Sequence, residues 1–262
     1  MTTSQLPEGR EKTVRVRAMF DAIAPRYDLV NRLITLGLDQ HWRRRTVRAL
    51  ALPPSSRVLD LACGTGALAE LAGRHGYRVV GADMSEGMLA GRAARAGRAG
   101  RADAGGTVGG TFPAALADAA SLPFATGSFD GVLCAYALRN FTDLEASFAE
   151  AARVVRPGGR IAILEVATPS STLVRAGHRL WFHHAVPAIG AALSDAGAYR
   201  YLPESVAYLP ADPGLRQMLR AAGFRTVGRQ LLQGGLSQIL TATRAGMPPD
   251  AGAPDAGAPD AP

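Results

Sequence analysis

The chain has 262 residues, which suits one α/β domain with short attachments and allows a sizeable hydrophobic core. Its composition, 47% hydrophobic and 19% charged, is typical of a globular protein, and no apolar run approaches the roughly 18 residues of a membrane span. The net charge of +7 comes almost entirely from arginine and favours an anionic partner, either phospholipid headgroups or nucleic acid.

The N-terminal residues and the cysteines indicate the cellular compartment of the protein. Residues 1–13 have no apolar core, so we predict a disordered N-terminus without a signal peptide. Cys63 and Cys134 lie at the ends of predicted strands and match no metal-binding spacing. We therefore expect reduced thiols, no metal and a cytoplasmic protein.

Residues 14–50 have helical spacing of apolar residues and are predicted to form a helical cap, broken at Pro25 and Gly37. The cap ends in HWRRRTVRAL, where four arginines stand beside a tryptophan: Trp42, Arg43, Arg44, Arg45 and Arg48. A solvated basic face is one interpretation of this segment, and a helix at a membrane surface is the other. We predict peripheral contact with an anionic membrane surface through these residues.

The segment Arg57 to Gly66, RVLDLACGTG, is predicted to be a buried strand that runs into a glycine loop. Gly64 and Gly66 allow a sharp turn and the close approach of a ligand. The following residues, Ala67 to His75, are helix-like, so the loop opens onto a helix N-terminus. This arrangement predicts a nucleoside cofactor, although a plain strand-to-helix connection has the same pattern.

Two aspartates bear on the identity of that cofactor. Asp60 stands at the end of the first strand, where it repels a pyrophosphate and attracts the cationic amino acid part of S-adenosylmethionine. Asp83 follows the second predicted strand, Arg78 to Ala82, and is placed to accept hydrogen bonds from ribose hydroxyls. We therefore favour S-adenosylmethionine, with an NAD-dependent oxidoreductase as the alternative.

After Asp83 the chain continues to alternate helices and strands. Ser85 is the predicted N-cap of a helix, and residues 97–110 are predicted to be a flexible insertion because of their glycines. A third strand, Phe112 to Ala117, leads to Asp118, which is placed to accept from an adenine amino group or to cap a helix. The fourth strand is predicted at Gly131 to Ala135.

The C-terminal half is predicted to hold a helix at 142–155, a fifth strand at 160–166, helical structure over 169–202 and a helix from Asp212. The adjacent His183 and His184 make a poor metal pair on a helix. Two strands joined at Gly234 and Gly235 then form a hairpin. The result is a doubly wound α/β sheet with one antiparallel strand in a domain of residues 14–245, followed by a disordered tail over 246–262.

Several segments resemble known enzymes. RVLDLACGTG, VVGADMSEGML, ADAASLPFATGSFD and VVRPGGRIAILE resemble the seven-stranded, Rossmann-like class I S-adenosylmethionine-dependent methyltransferases. FDAIAPRYDLVNRLITLGLDQHWRR, ALRNFTD and PAIGAALSDAGAYRYLPESV resemble, more narrowly, the ubiquinone and menaquinone biosynthesis C-methyltransferases. The resemblance implies C-methylation of a polyprenyl quinol ring, demethylmenaquinol to menaquinol, with S-adenosylmethionine as the methyl donor and no nucleic acid as partner.

The resemblance and the glycine-loop argument together give a set of expected cofactor residues. They lie in the loop and after the second, third and fourth strands: Asp60, Gly64, Thr65, Gly66, Asp83, Met84, Asp118, Ala119 and Ala135. The family usually has Asn in place of Asp118 and Ser in place of Ala135. Asp still accepts a hydrogen bond, whereas Ala offers only its backbone.

Methyl transfer to a quinol carbon needs the ring held in line with the donor and is helped by ionising the neighbouring hydroxyl. The candidate catalytic residues are Tyr27, Arg139, Asn140, Tyr199 and Tyr201. Arg139 is suited to stabilise a phenolate, and the sequence does not rank the others as a base. Two alternatives remain: a methyltransferase that acts on RNA or on a different small molecule, and a non-catalytic binding protein. The sequence does not indicate an oligomeric state.

Overall fold

The structure is a computed structural model of the chain. It describes residues 9–92, 112–169, 171–181, 186, 189, 201 and 205–246. The predicted insertion at 97–110, the two adjacent histidines, Tyr199 and the tail beyond Gly246 lie outside the described residues. Within the described ranges, no helix is long and apolar enough to cross a membrane.

Three helices form the N-terminal part: α1 (Gly9–Ile23), α2 (Tyr27–Ile34) and α3 (Leu38–Leu50). The predicted disorder over residues 1–13 is wrong for its last five residues, because α1 begins at Gly9 and buries Lys12. The breaks fall where the sequence predicts them, because a short 3-10 turn contains Pro25 and Gly37 adopts a positive φ of 77°. The helix α3 packs directly on the central sheet, where its Val47 and Leu50 share a core cluster with strand residues.

The centre of the molecule is a seven-stranded sheet in the order β3-β2-β1-β4-β5-β7-β6. Its strands are β1 (Arg57–Leu61), β2 (Arg78–Asp83), β3 (Ala114–Leu116), β4 (Phe129–Ala135), β5 (Val155–Val166), β6 (Phe224–Leu232) and β7 (Ser237–Arg244). Within this sheet, β7 runs antiparallel to the other six strands, since it pairs with both β5 and β6 in the antiparallel sense. The predicted doubly wound sheet with one antiparallel strand is confirmed.

Helices cover both faces of the sheet: α4 (Ala67–Arg74), α5 (residues 86–92), α6 (Leu144–Val154), α7 (Thr172–Leu180) and α8 (Asp212–Ala221). The largest core cluster joins α6 and α8 to the sheet through residues such as Phe148 and Leu215. The second cluster lies on the other face, between the sheet and the helices α3 and α4. In a sheet that is covered on both faces, ligands bind at the carboxyl ends of the strands.

The predicted start of the fifth strand is wrong in detail. The fifth strand begins at Val155 rather than Arg160, because a register irregularity between Phe129 and Gly131 lets β5 pair earlier with β4. Glycine is required there: a Cβ on Gly159 would lie 2.5 Å from the carbonyl oxygen of Asp130.

The basic segment is not a uniform surface. Trp42 is 5% exposed, and its indole N–H donates to the side chain of Gln233. Arg43 is 7% exposed and faces Asp39, whereas Arg44 and Arg48 are exposed and Arg45 is half-buried. The prediction that Trp42 and Arg43 face a membrane is therefore wrong, since the side of α3 that carries them packs inward.

Candidate active site

A crevice opens at the carboxyl ends of β1, β2 and β4, with about 700 Å³ of empty space that includes space open to solvent. Most of the predicted cofactor residues line it: Gly64, Asp83, Met84, Asp118, Ala119 and Ala135. The candidates Tyr27 and Asn140 also line this crevice, and the Oδ1 atom of Asn140 has no hydrogen-bond partner among the described residues.

Asp83 joins the glycine loop to the next helix. Its Oδ2 atom accepts from the N–H of Gly64 at 2.7 Å, and its Oδ1 atom accepts from the N–H of Ser85 at 2.9 Å. Burial raises the pKa of Asp83, and these backbone hydrogen bonds oppose the shift. Each carboxylate oxygen retains a second lone pair, so Asp83 holds the loop and still presents an acceptor to the crevice.

The glycines of the loop have different surroundings. Gly64 has a φ of 54°, and a Cβ there would have no neighbour closer than the Sδ atom of Met88 at 3.9 Å. Gly66 has a φ of 86°, and a Cβ there would lie 2.9 Å from the ring of Phe112. Gly64 thus leaves room for a ligand, and Gly66 allows the loop to pack on the sheet.

Asp60, Thr65 and Gly66 are not among the residues that line the crevice, and they lie behind its wall. Asp60 is 1% exposed, and its Oδ2 atom has no hydrogen-bond partner among the described residues. Burial raises the pKa of Asp60 to about 7, and the nearby charge of Arg43 partly opposes this shift. The influence of Asp60 on a cationic ligand is therefore long-range rather than by contact.

This pKa gives a testable dependence of stability on pH. Because the folded pKa lies above the value of 3.8 that an aspartate has in water, the folded state retains a proton that the unfolded state loses. The free energy of unfolding should therefore fall as the pH rises from about 4 to about 7, by up to about 4 kcal/mol from this group. Asp60→Asn should remove this part of the fall and be more stable than the wild type at pH 8.

Chemical denaturation across this pH range measures the effect. Asp130→Asn is the matched control, because hydrogen bonding to Arg156 lowers the pKa of Asp130 despite some burial. That variant should lose stability at pH 8 rather than gain it. Identical pH profiles for the wild type and Asp60→Asn would contradict the assignment.

The N-terminal helices are fastened to the cofactor loop. Asp21 accepts from the hydroxyl of Ser85 at 2.5 Å and from the N–H of Gly87 at 2.9 Å. Asp28 accepts from the hydroxyl of Thr65 at 2.8 Å. Sequence reasoning missed both aspartates, because no spacing in the chain links them to the loop. These hydrogen bonds hold α1 and α2 against the loop, and Phe20 of α1 and Tyr27 of α2 line the crevice.

A second cavity adjoins the crevice, with about 1250 Å³ of empty space that includes space open to solvent. Its wall is mostly apolar and includes Ile34, Leu38, Trp42, Trp181 and Leu236, and Tyr27 and Tyr136 line both spaces. Tyr136 has a φ of 59°, a conformation unusual for a bulky residue. Burial raises the pKa of its hydroxyl, which stays protonated at neutral pH.

Arg139 lines this second cavity and forms a buried ion pair with Glu165. Its Nη1 atom donates to Oε1 of Glu165 at 2.5 Å, and Glu165 also accepts from the N–H groups of Leu138 and Val166, each at 2.9 Å. Glu165 is completely buried and was missed by sequence reasoning. The remaining candidate, Tyr201, is buried but is not among the residues that line either space.

The lining of the crevice suits one of the two cofactor classes. Asp83 and Asp118 contribute carboxylates, and no Lys, Arg or His lines the crevice among the described residues. A pyrophosphate would meet only negative charge here, whereas S-adenosylmethionine brings a cationic sulfonium and ammonium. Within the described part of the chain no group of side chains could hold a metal ion. The residues present therefore fit S-adenosylmethionine.

Comparisons with known proteins support a methyltransferase. The model of the ubiE/COQ5 methyltransferase family matches residues 8–244. A demethylmenaquinone methyltransferase of Mycolicibacterium vanbaalenii is 42% identical over 232 residues, which cover 88% of this chain and 95% of the relative. A demethylmenaquinone methyltransferase of Deinococcus radiodurans is 44% identical over 244 residues, covering 89% and 96%.

Among solved structures, an S-adenosylmethionine-dependent methyltransferase of Thermotoga maritima, a possible histamine N-methyltransferase, superposes with a TM-score of 0.60. It covers 87% of this chain and 99% of its own, and at 17% identity it supports the fold alone. The family match decides against the NAD-dependent oxidoreductase that the glycine loop left open. The chain belongs to the ubiE/COQ5 methyltransferase family and is an S-adenosylmethionine-dependent methyltransferase of the class I fold.

Proposed function

We propose that the protein methylates a ring carbon of a polyprenyl quinol and converts demethylmenaquinol to menaquinol. The observation that carries this proposal is the large apolar cavity beside the cofactor crevice, with Tyr27 and Tyr136 at the junction. An apolar space with a few polar groups suits a hydrophobic aromatic substrate. The names of the two curated relatives support the same acceptor.

The cofactor residues have distinct proposed roles. S-adenosylmethionine, when bound, supplies an electrophilic methyl group. Asp83 accepts hydrogen bonds from the ribose hydroxyls, and Asp118 with Ala119 lies beside the adenine. Gly64, Thr65 and Gly66 shape the loop against which the amino acid part lies, Met84 and Ala135 add apolar and backbone contacts, and the charge of Asp60 favours a cation.

The second cavity is the proposed site of the methyl acceptor and is called the acceptor cavity below. Arg139 has the main electrostatic role in it. Ionising a quinol hydroxyl increases the electron density on the neighbouring ring carbon, which is the atom that accepts the methyl group. A guanidinium beside that oxygen stabilises its charge in apolar surroundings. Glu165 keeps Arg139 in place, and Tyr27 and Asn140 orient the ring. A base takes the proton that the methylated carbon loses.

A direct test uses labelled S-adenosylmethionine and a total lipid extract from membranes that contain demethylmenaquinone, chemically reduced beforehand. We expect the label in the quinone fraction and its mass to increase by one methylene unit. Label in another lipid or in a water-soluble product would favour a methyltransferase for a different acceptor. No labelled product from any fraction would support a binding protein instead.

We also propose that the enzyme meets its lipid substrate at an anionic membrane surface through α2. Three exposed leucines mark this surface: Leu29 and Leu33 stand one turn apart, and Leu36 lies at the wall of the acceptor cavity. The exposed Arg32 and Arg44 share a surface pocket with Leu29. Leucines beside a cavity mouth, flanked by cations, suit contact with a bilayer.

Vesicle sedimentation tests this surface. The protein should pellet with vesicles that contain phosphatidylglycerol at low salt, and less as salt rises, because each cation contributes about 1 kcal/mol near the surface and is screened. The double variants Leu29→Ser with Leu33→Ser, and Arg32→Gln with Arg44→Gln, should each reduce pelleting. Val14→Ser, at another exposed apolar residue, is the matched control. Unchanged pelleting of both double variants would contradict the proposal.

A further inference from the structure

The acceptor cavity has a second buried arginine, and this one has a buried N–H donor without a partner among the described residues. Arg43 on α3 is 7% exposed and lines this cavity. Its closest charged partner is Asp39, at 3.7 Å from Nε to Oδ2, which is longer than a hydrogen bond. The Nε atom of Arg43 is buried and makes no hydrogen bond to any described residue.

The partners of Asp39 explain why this pair is loose. The Oδ1 atom of Asp39 accepts from the hydroxyl of Thr35 at 3.2 Å, and the Oδ2 atom accepts from the amide of Gln40 at 3.2 Å. Both carboxylate oxygens therefore already have a donor. Asp39 balances the charge of Arg43 without saturating its donors.

The two arginines of the cavity differ in this respect. Arg139 is bound to Glu165 by a hydrogen bond of 2.5 Å, whereas Arg43 has only the longer contact. The guanidinium carbon of Arg43 lies 5.5 Å from the ring centroid of Tyr136, so the cation stands beside the junction between cavity and crevice. Buried donors without acceptors are costly, and a ligand that supplies an acceptor removes that cost.

We propose that Arg43 binds an ionised oxygen of the acceptor ring and makes the cavity prefer the anionic form of a hydroxylated aromatic ring over the neutral form. The inference rests on the proposed function, because it deepens the description of the acceptor site. A charge-assisted hydrogen bond in apolar surroundings is stronger than a neutral one, and a ring without charge gains none of this difference. Arg43 is then a specificity-determining residue, and Asp39 limits the strength of its field.

Binding of two small probes tests the proposal without any methyl transfer. The probes are 2-hydroxy-1,4-naphthoquinone, an anion at neutral pH, and 1,4-naphthoquinone, which has the same rings and no charge. Both are titrated calorimetrically into the full-length protein saturated with S-adenosylhomocysteine. We expect the wild type to bind the anion more tightly, on the order of tenfold. Arg43→Gln should reduce this preference, because only Arg139 then remains beside the anion, and Arg43→Lys should retain more of it than Arg43→Gln.

Arg48→Gln is the matched control, because Arg48 lies on the same helix, is exposed and does not line the cavity. It should keep the preference of the wild type. Asp39→Asn should increase the preference for the anion, because Arg43 loses its counter-charge. If Arg43→Gln does not fold, the result for Asp39→Asn tests the proposal in its place. Equal affinities of the wild type for both probes, or an unchanged preference in Arg43→Gln or Asp39→Asn, would overturn the proposal. Anion preference in a protein that does not methylate demethylmenaquinol would overturn only the proposed function.

Discussion

Glu165→Leu should lower the free energy of unfolding by about 3–5 kcal/mol and eliminate methyl transfer, because it leaves Arg139 as a buried charge without a partner. The side chain of Glu165 is completely buried and accepts hydrogen bonds from Arg139, Leu138 and Val166. Chemical denaturation and an activity assay measure the two effects separately.

A double variant distinguishes the two roles of this pair. Glu165→Leu combined with Arg139→Met removes both charges, so it should recover much of the lost stability while activity stays absent. Glu165→Gln keeps the shape and one acceptor oxygen, and should be more stable than Glu165→Leu with a reduced kcat and a nearly unchanged affinity for the cofactor. A loss of stability below about 1 kcal/mol in Glu165→Leu would contradict the account of the ion pair.

Asp83→Ala should weaken binding of S-adenosylmethionine by about 1.5–3 kcal/mol, because the ribose hydroxyls lose a charged acceptor. The loss of the hydrogen bonds from Gly64 and Ser85 also loosens the loop, so the effect should be at the upper end of this range. Calorimetry with S-adenosylhomocysteine on the folded variant gives the affinity directly.

Asp118→Ala is the matched comparison, because Asp118 lines the same crevice but is exposed and holds only the N–H of Ala120. Its effect on affinity should be the smaller of the two. An Asp83→Ala variant that is folded and binds the cofactor as tightly as the wild type would show that the ribose lies elsewhere.

The sheet was predictable because its signals are local. Apolar runs define the parallel strands, of which the first leads into the glycine loop and the second ends in Asp83, and the glycines at 234 and 235 define the terminal hairpin. Helix α6 is another example: Asp143 caps it by accepting from the N–H of Ala146 at 2.9 Å. Since strand ends point to the crevice, the residues at those ends could also be assigned to the cofactor site from the sequence.

The rest of the site depends on contacts between distant segments. The composition of α3 shows a basic helix but not which side packs on the sheet, and for that reason Trp42 and Arg43 were assigned to the surface. The pairing of Glu165 with Arg139 joins the end of β5 to the turn after β4, and no local pattern encodes it. Asp60 has the expected position on its strand but lies behind the wall of the crevice.

The central claim is that this chain transfers a methyl group from S-adenosylmethionine to a ring carbon of demethylmenaquinol. The most direct measurement incubates the purified protein with S-adenosylmethionine labelled with ¹³C at the methyl group and with reduced demethylmenaquinone in detergent micelles. Carbon NMR of the extracted product then shows the attachment of the label. We expect a methyl signal bonded to the quinone ring carbon. A methyl signal bonded to oxygen, or unchanged demethylmenaquinone alongside a consumed donor, would contradict the account.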